Sequence, residues 1–189
     1  MSFILIINSS PRKVGNVSSM LKEVRKNLKD EEHEIEEVFL HDYQYAPCMG
    51  CMKCRDQKNC RLADSANEIA EKISKADILI LGMPVYWGNI PGHLKNLLDR
   101  CVYVLFEIQK YKLPIAKTKS LYLVMSMNLG RTADFFVGDV KLAKKAIKEV
   151  FRYSKYKMRG SFVNYDAFSK GAMSYIGDKR LNRFSKKIK

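Results

Sequence analysis

No stretch of this chain is apolar for long enough to cross a bilayer. The opening run Met1-Ser2-Phe3-Ile4-Leu5-Ile6-Ile7 is too short for a secretory leader and lacks the basic front and cleavage site of one. A cytoplasmic location is therefore expected. Cysteine is scarce and odd in number, five in all, which argues against the disulfide framework of a secreted protein. The glycine-rich nucleotide signatures are also missing: no Gly-Lys-Ser/Thr closes a Walker loop, and no three-glycine dinucleotide turn follows the first apolar run. His33, His41 and His93 read as surface or capping residues, and neither a Ser-His-Asp order nor a pair of spaced carboxylates stands out. The chemistry is then expected to belong to bound cofactors.

With 189 residues and 47% hydrophobic content, the chain suits one domain over residues 1–189 with a genuine core. The net charge of +14 is lopsided. From Asp139 to Lys189 there are 15 basic residues against 4 acidic, whereas the first 138 residues carry 19 against 16. Such a basic C-terminal third can steer anionic nucleotides, acidic electron-transfer proteins or nucleic acid, or simply be a solvated surface. A nucleic-acid module is the lesser reading, because Phe162, Tyr165 and Phe168 are more easily placed as strand and loop packing than as base-stacking platforms.

The apolar run over residues 2–7 reads as a buried strand feeding the polar loop Asn8-Ser9-Ser10-Pro11-Arg12-Lys13-Val14-Gly15-Asn16. A helix follows over 17–28, with Asn16 or Ser18 placed to cap it. Residues 34–40 form a polar, edge-like strand. Further strands are predicted over 77–82, 120–126 and 158–163, and helices over 66–73, from Pro91 through Val102, over 140–151 and over 178–188. Strands alternating with helices at this spacing mean a parallel sheet with helices on both faces.

Cys48, Cys51, Cys54 and Cys60 form a C-x2-C-x2-C-x5-C run within thirteen residues, in an insertion at about 45–62. Disulfides between residues three apart would strain the backbone, whereas thiolates on a tight loop can converge on one centre, so the run points to a redox site. Lys53, Arg55, Lys58 and Arg61 supply positive charge that favours thiolates. An iron–sulfur cluster, a zinc site and a metal-free thiol-rich turn are the three readings; zinc more often uses two separated C-x2-C pairs. Cys101 sits on a helical apolar face and reads as core.

Strand, polar loop and helix N-terminus together make an anion site, to which Ser9, Ser10, Arg12, Asn16 and Ser18 add donors. The segment Asn8 to Asn16 resembles the FMN phosphate loop of the flavodoxin-like NAD(P)H-dependent FMN reductases. Pro84-Val85-Tyr86-Trp87-Gly88 and the helix behind it resemble that family's second flavin loop, and Cys48 to Cys60 resembles its iron–sulfur flavoprotein branch.

The resemblance implies a five-stranded doubly wound sheet of order 2-1-3-4-5, with FMN at the carboxyl ends of the strands. It implies phosphate contacts from Ser9, Arg12, Asn16, Val17 and Ser18, and a flavin ring lying along Pro84, Val85, Tyr86, Trp87, Gly88 and Asn89. It implies a [4Fe–4S] cluster on Cys48, Cys51, Cys54 and Cys60, and electrons exchanged with NAD(P)H or ferredoxin by a homodimer or homotetramer. A non-enzymatic electron carrier is the alternative. Two departures stand out: Val17 replaces the family's usual Thr, and the third flavin loop, residues 126–132, keeps only Gly130 of its glycine character.

Overall fold

The computed structural model describes residues 1–28, 33–57, 59–106, 118–170, 175 and 177–188. Its strands are β1 (Ser2–Asn8), β2 (His33–Phe39), β3 (Ile78–Pro84), β4 (Lys119–Ser126) and β5 (Tyr156–Asn164), in the spatial order β2-β1-β3-β4-β5. All four pairings are parallel. The helices are α1 (Asn16–Asn27), α2 (Cys54–Gln57), α3 (Ser65–Lys75), α4 (Gly92–Arg100), α5 (Val102–Leu105), α6 (Arg131–Val137), α7 (Asp139–Val150), α8 (Ala167–Lys170) and α9 (Lys179–Ser185). A 3-10 turn, Leu40–Asp42, follows β2.

The continuous apolar runs of β1, β3 and β4 exist because both faces of the sheet are covered. Leu5, Ile7, Leu79, Leu81, Leu121 and Leu123 enter one core with α3, α4 and α7, while Ile4, Ile6, Ile78, Ile80 and Val124 enter a second with α1 and α9. The edge strand β2 buries only Val38. Its acidic residues are answered by neighbouring cations: Glu36 meets Lys72 at 2.5 Å and Glu37 meets Arg25 at 3.4 Å. No described helix is long and apolar enough to cross a membrane.

Several local expectations need correction. Gly15, not Asn16 or Ser18, is the residue before α1, and no side chain caps that helix. Both candidate caps are engaged elsewhere: Asn16 Nδ2 donates to the Ala167 carbonyl at 2.8 Å, and Ser18 Oγ donates to the Arg12 carbonyl at 2.9 Å. Pro91 precedes α4 instead of opening it. The closing helix is shorter than expected, because Asp178 stays outside as its cap, accepting from the Arg180 and Leu181 amides. Phe168 is 91% exposed and packs into nothing, contrary to its expected place in the loop packing.

Gly82 in β3 faces α1 so closely that an added Cβ would lie 2.4 Å from Leu21 Cδ1 and 3.0 Å from Val17 Cγ1. Both neighbours are buried, so neither has room to yield. Gly82→Ala is expected to lower stability by about 1–3 kcal/mol through overpacking, read as a lower denaturant midpoint.

Candidate functional site

The order in which the chain adds strands to the sheet switches sides between β1 and β3, and at such a switch point a crevice opens beyond the carboxyl ends of the strands. The loop leaving β1 is fixed to β3 at its first residue: the Ser9 amide and hydroxyl both donate to the Gly82 carbonyl, at 2.8 and 2.9 Å. Ser9 is fully buried, so its hydroxyl holds the loop in place and does not face the crevice. Asn8 organises the next turn, accepting from the Ser10 amide at 3.0 Å and donating to Ser18 Oγ at 2.8 Å. The loop then delivers an α1 N-terminus with no side-chain cap and no acidic residue in its first turn. Unpaired first-turn amides and the positive end of a helix favour an anion.

The Val17 side chain is buried against Gly82, which leaves its backbone amide as the group it presents to the loop. Arg12 is exposed beside the loop. Asn16 Oδ1 is a buried acceptor with no hydrogen-bond partner among the described residues. An orphan of this kind is unusual and suits a hydroxyl-bearing ligand.

After β3, Pro84 and Val85 lead into a tight hairpin in which Tyr86 and Asn89 exchange both backbone hydrogen bonds, at 3.1 and 2.8 Å. Its two central residues, Trp87 and Gly88, have φ of 51° and 68°, as a type I′ turn requires. Gly88 is buried against Asp139 and Leu142 at the start of α7, while Trp87 is 100% exposed and Tyr86 half exposed. A tryptophan held at positive φ with its whole ring in solvent offers a flat apolar surface at the crevice rim. The loop after β4 is shorter than its sequence suggested, because Arg131 already opens α6. Phe135 and Phe136 of that helix, like Phe168 beyond β5, stand exposed.

The cysteine loop lies between the 3-10 turn and α3. Gly50 and Met52, at φ of 64° and 58°, turn the chain between Cys48 and Cys54, and Cys54 opens α2. Cys48 and Cys51 are exposed, and Cys54 and Cys60 are partly covered. Among the described residues no three metal-ligating side chains converge as a finished site. Burial raises the Cys54 pKa, and the Cys60, Cys48 and Cys51 thiols push it further. Four soft thiols on one short loop have the donor chemistry that an iron–sulfur centre uses. Of the four expected cations, Lys58 lies outside the described residues. Cys101 is fully buried, its thiol pushed up to about 12 mainly by burial, and is core as expected.

The residues that hold this loop escaped the sequence reading. Arg100, at the end of α4, donates to the Ala46 carbonyl ahead of the cysteines and to Cys60 Sγ, the Leu62 carbonyl and both Asp64 oxygens at their far end, all between 2.8 and 3.0 Å. Asp64 also caps α3 and accepts from the Ala46 amide. Burial opposes its charge, but Arg100 and the two amides together hold its carboxyl below the ordinary value. The available signal was an arginine in the apolar stripe of Leu94, Leu97, Leu98 and Cys101. Also unforeseen is an aromatic stack that joins the 3-10 turn and the start of the cysteine loop to α4: His93 lies 4.7 Å from His41 and 4.5 Å from Tyr45, ring centre to ring centre.

A doubly wound parallel sheet with an anion-ready loop after its first strand defines a flavodoxin-like α/β protein. The sequence matches the NADPH-dependent FMN reductase family over residues 3–132, and the chain belongs to that family. It is 37% identical over 97 residues to an iron–sulfur flavoprotein of Methanocaldococcus jannaschii, covering 51% of this chain and 50% of that protein. It is 41% identical over 96 residues to an iron–sulfur flavoprotein of Methanosarcina thermophila, with coverage of 51% and 50%. The chain thus covers about half the length of the curated relatives it matches. In fold it resembles an FMN-dependent NADH-azoreductase of Bacillus anthracis solved in complex with FMN, with a TM-score of 0.68 at 17% identity, covering 97% of this chain and 98% of the other.

Trp87→Asn is expected to stabilise the protein by about 1 kcal/mol, because asparagine escapes most of the left-handed penalty and no packing is lost. Thermal denaturation reads this directly; a lowered midpoint would show that the ring packs in solution.

Proposed function

We propose that the chain binds FMN along the carboxyl edge of its sheet and acts as an NAD(P)H-linked oxidoreductase, with a [4Fe–4S] cluster on Cys48, Cys51, Cys54 and Cys60 as a second redox centre. The observation that carries the reading is the uncapped, acid-free N-terminus of α1 at the end of a loop fixed to β3, in a member of the NADPH-dependent FMN reductase family. Membership of that family and the names of the matched relatives support both cofactors.

In this reading the amides of Asn16, Val17 and Ser18 and the Arg12 guanidinium receive the phosphate, and Asn16 Oδ1 accepts from a ligand hydroxyl. Ser9 acts indirectly, keeping the loop on Gly82. Pro84 to Asn89 form a rigid rim, with Tyr86 and Trp87 giving flat contact to the isoalloxazine and loop amides near Gly88 meeting its polar edge. When bound, the flavin supplies two-electron hydride chemistry and one-electron transfer. The cysteine thiolates hold the one-electron centre, and the stack of Tyr45, His93 and His41 ties the start of the cysteine loop to α4. The basic C-terminal third suits an acidic donor such as a ferredoxin, and a homodimer or homotetramer would cover the exposed aromatics.

Fluorescence titration with FMN should show saturable quenching, and the FMN-loaded protein should oxidise NADH or NADPH under steady-state conditions. Trp87→Asn should weaken flavin binding or turnover while the fold stays intact. Saturable FMN binding without turnover of either nucleotide would leave a flavin-carrying electron carrier; no binding would overturn the reading. After anaerobic reconstitution, iron and acid-labile sulfide should co-purify with the wild type and fall sharply in Cys51→Ser and Cys54→Ser, with FMN binding unchanged.

A further inference from the structure

Arginine has five N–H donors, and those of Arg100 are all used. Two Nη1 bonds reach the Ala46 carbonyl and Asp64 Oδ2, two Nη2 bonds reach the Leu62 carbonyl and Asp64 Oδ1, and Nε reaches Cys60 Sγ at 3.0 Å. The side chain is 1% exposed, so water does not compete for these donors. Four of the bonds go to oxygen and account for a structural arginine that ties two chain segments to a helix. The fifth goes to a sulfur that the proposed function makes a cluster ligand.

We propose that Arg100 is a positioning residue for the redox centre, holding the Cys48–Cys60 loop ready for iron and raising the cluster's reduction potential through its N–H···S contact with Cys60. This rests on the iron–sulfur reading above. Two consequences follow from the geometry. Arg100 and Asp64 join residues 46 and 64 directly, so much of the loop-closure entropy that four ligands would otherwise have to offset is already met in the fold. An N–H donor on a ligand sulfur also withdraws electron density and favours the more negative, reduced cluster. Outer contacts of this kind are typically worth about 10–100-fold in metal affinity.

The test compares wild type, Arg100→Lys and Asp64→Asn after anaerobic reconstitution, with iron retention against a chelator and the cluster potential from an EPR-monitored redox titration. Circular dichroism melting checks the fold. Lysine keeps a cation for Asp64 but has no Nε–H fork to span both partners. Arg100→Lys is expected to shift the potential negative and to release iron about 10–100-fold more readily. Asp64→Asn breaks the ion pair and leaves the N–H···S contact, so it should melt earlier at wild-type potential. A folded Arg100→Lys with wild-type potential and retention overturns the proposal while leaving the cluster standing, as does an Asp64→Asn shift equal to that of Arg100→Lys. A wild type that takes up no iron overturns both. Should Arg100→Lys not fold, Arg100→Met combined with Asp64→Leu, which removes both charges together, is read by the same two measurements, with the same outcomes for and against.

Discussion

Strands β1, β3 and β4 send alternate side chains into two separate cores, so along most of their length no polar group can be placed without losing its hydrogen bonds to water. Polar chemistry is therefore confined to the ends of the strands. At the carboxyl edge the polar residues Asn8 and Ser126 close β1 and β4. From there the chain builds its functional loops by short hydrogen-bonded attachments to neighbouring strands: Ser9 on Gly82, Val85 on Ser126, Met127 on Asn164. The rigidity of the sheet passes to the loops through these bonds, and the site is ordered where it meets a ligand.

The cysteine loop departs from this scheme, since it leaves the sheet and has little apolar content of its own. Its anchor is electrostatic. Arg100 is almost fully buried and Asp64 a fifth exposed. Such a pair gives little net stability relative to an apolar pair of the same shape, but losing Asp64 would leave the buried guanidinium uncompensated. What such a pair provides here is uniqueness of arrangement: five directed donors define the relation of Ala46, Cys60, Leu62 and Asp64 to α4, and no alternative packing satisfies them all.

The inner strands and the position of the first loop were legible because burial on two faces writes itself into the sequence as unbroken apolar runs. β2 showed its edge character by its polarity, and the strand order followed only from the family resemblance. The four cysteines were legible from spacing alone. The clamp was not, because Arg100 lies 36 residues from Asp64 and 40 from Cys60, and periodicity carries no record of such contacts. Helix ends fared worst. Asn16 and Ser18 are good capping types in a capping position, yet tertiary partners at Ala167 and Arg12 claimed their side chains, which left the amides of α1 open. In the proposed function the missing cap belongs to the anion site, a local rule broken where a bound group would satisfy it.

The charge asymmetry of the sequence acquires a structural meaning at the two sheet edges. β2 is acidic and β5 carries exposed Lys157 and Arg159, a pairing that would invite one copy to add to the next along the hydrogen-bonding direction. The chain suppresses half of that attraction itself, since Lys72 and Arg25 neutralise Glu36 and Glu37 from α3 and α1. Two of the acids on the β2 edge are therefore already paired within the chain. In the proposed function the positive field of the basic edge acts over longer range, raising the local concentration of anionic nucleotides or acidic redox proteins without specifying how they dock. In that reading docking geometry comes from the carboxyl edge, where Trp87 and the α6 phenylalanines stand exposed.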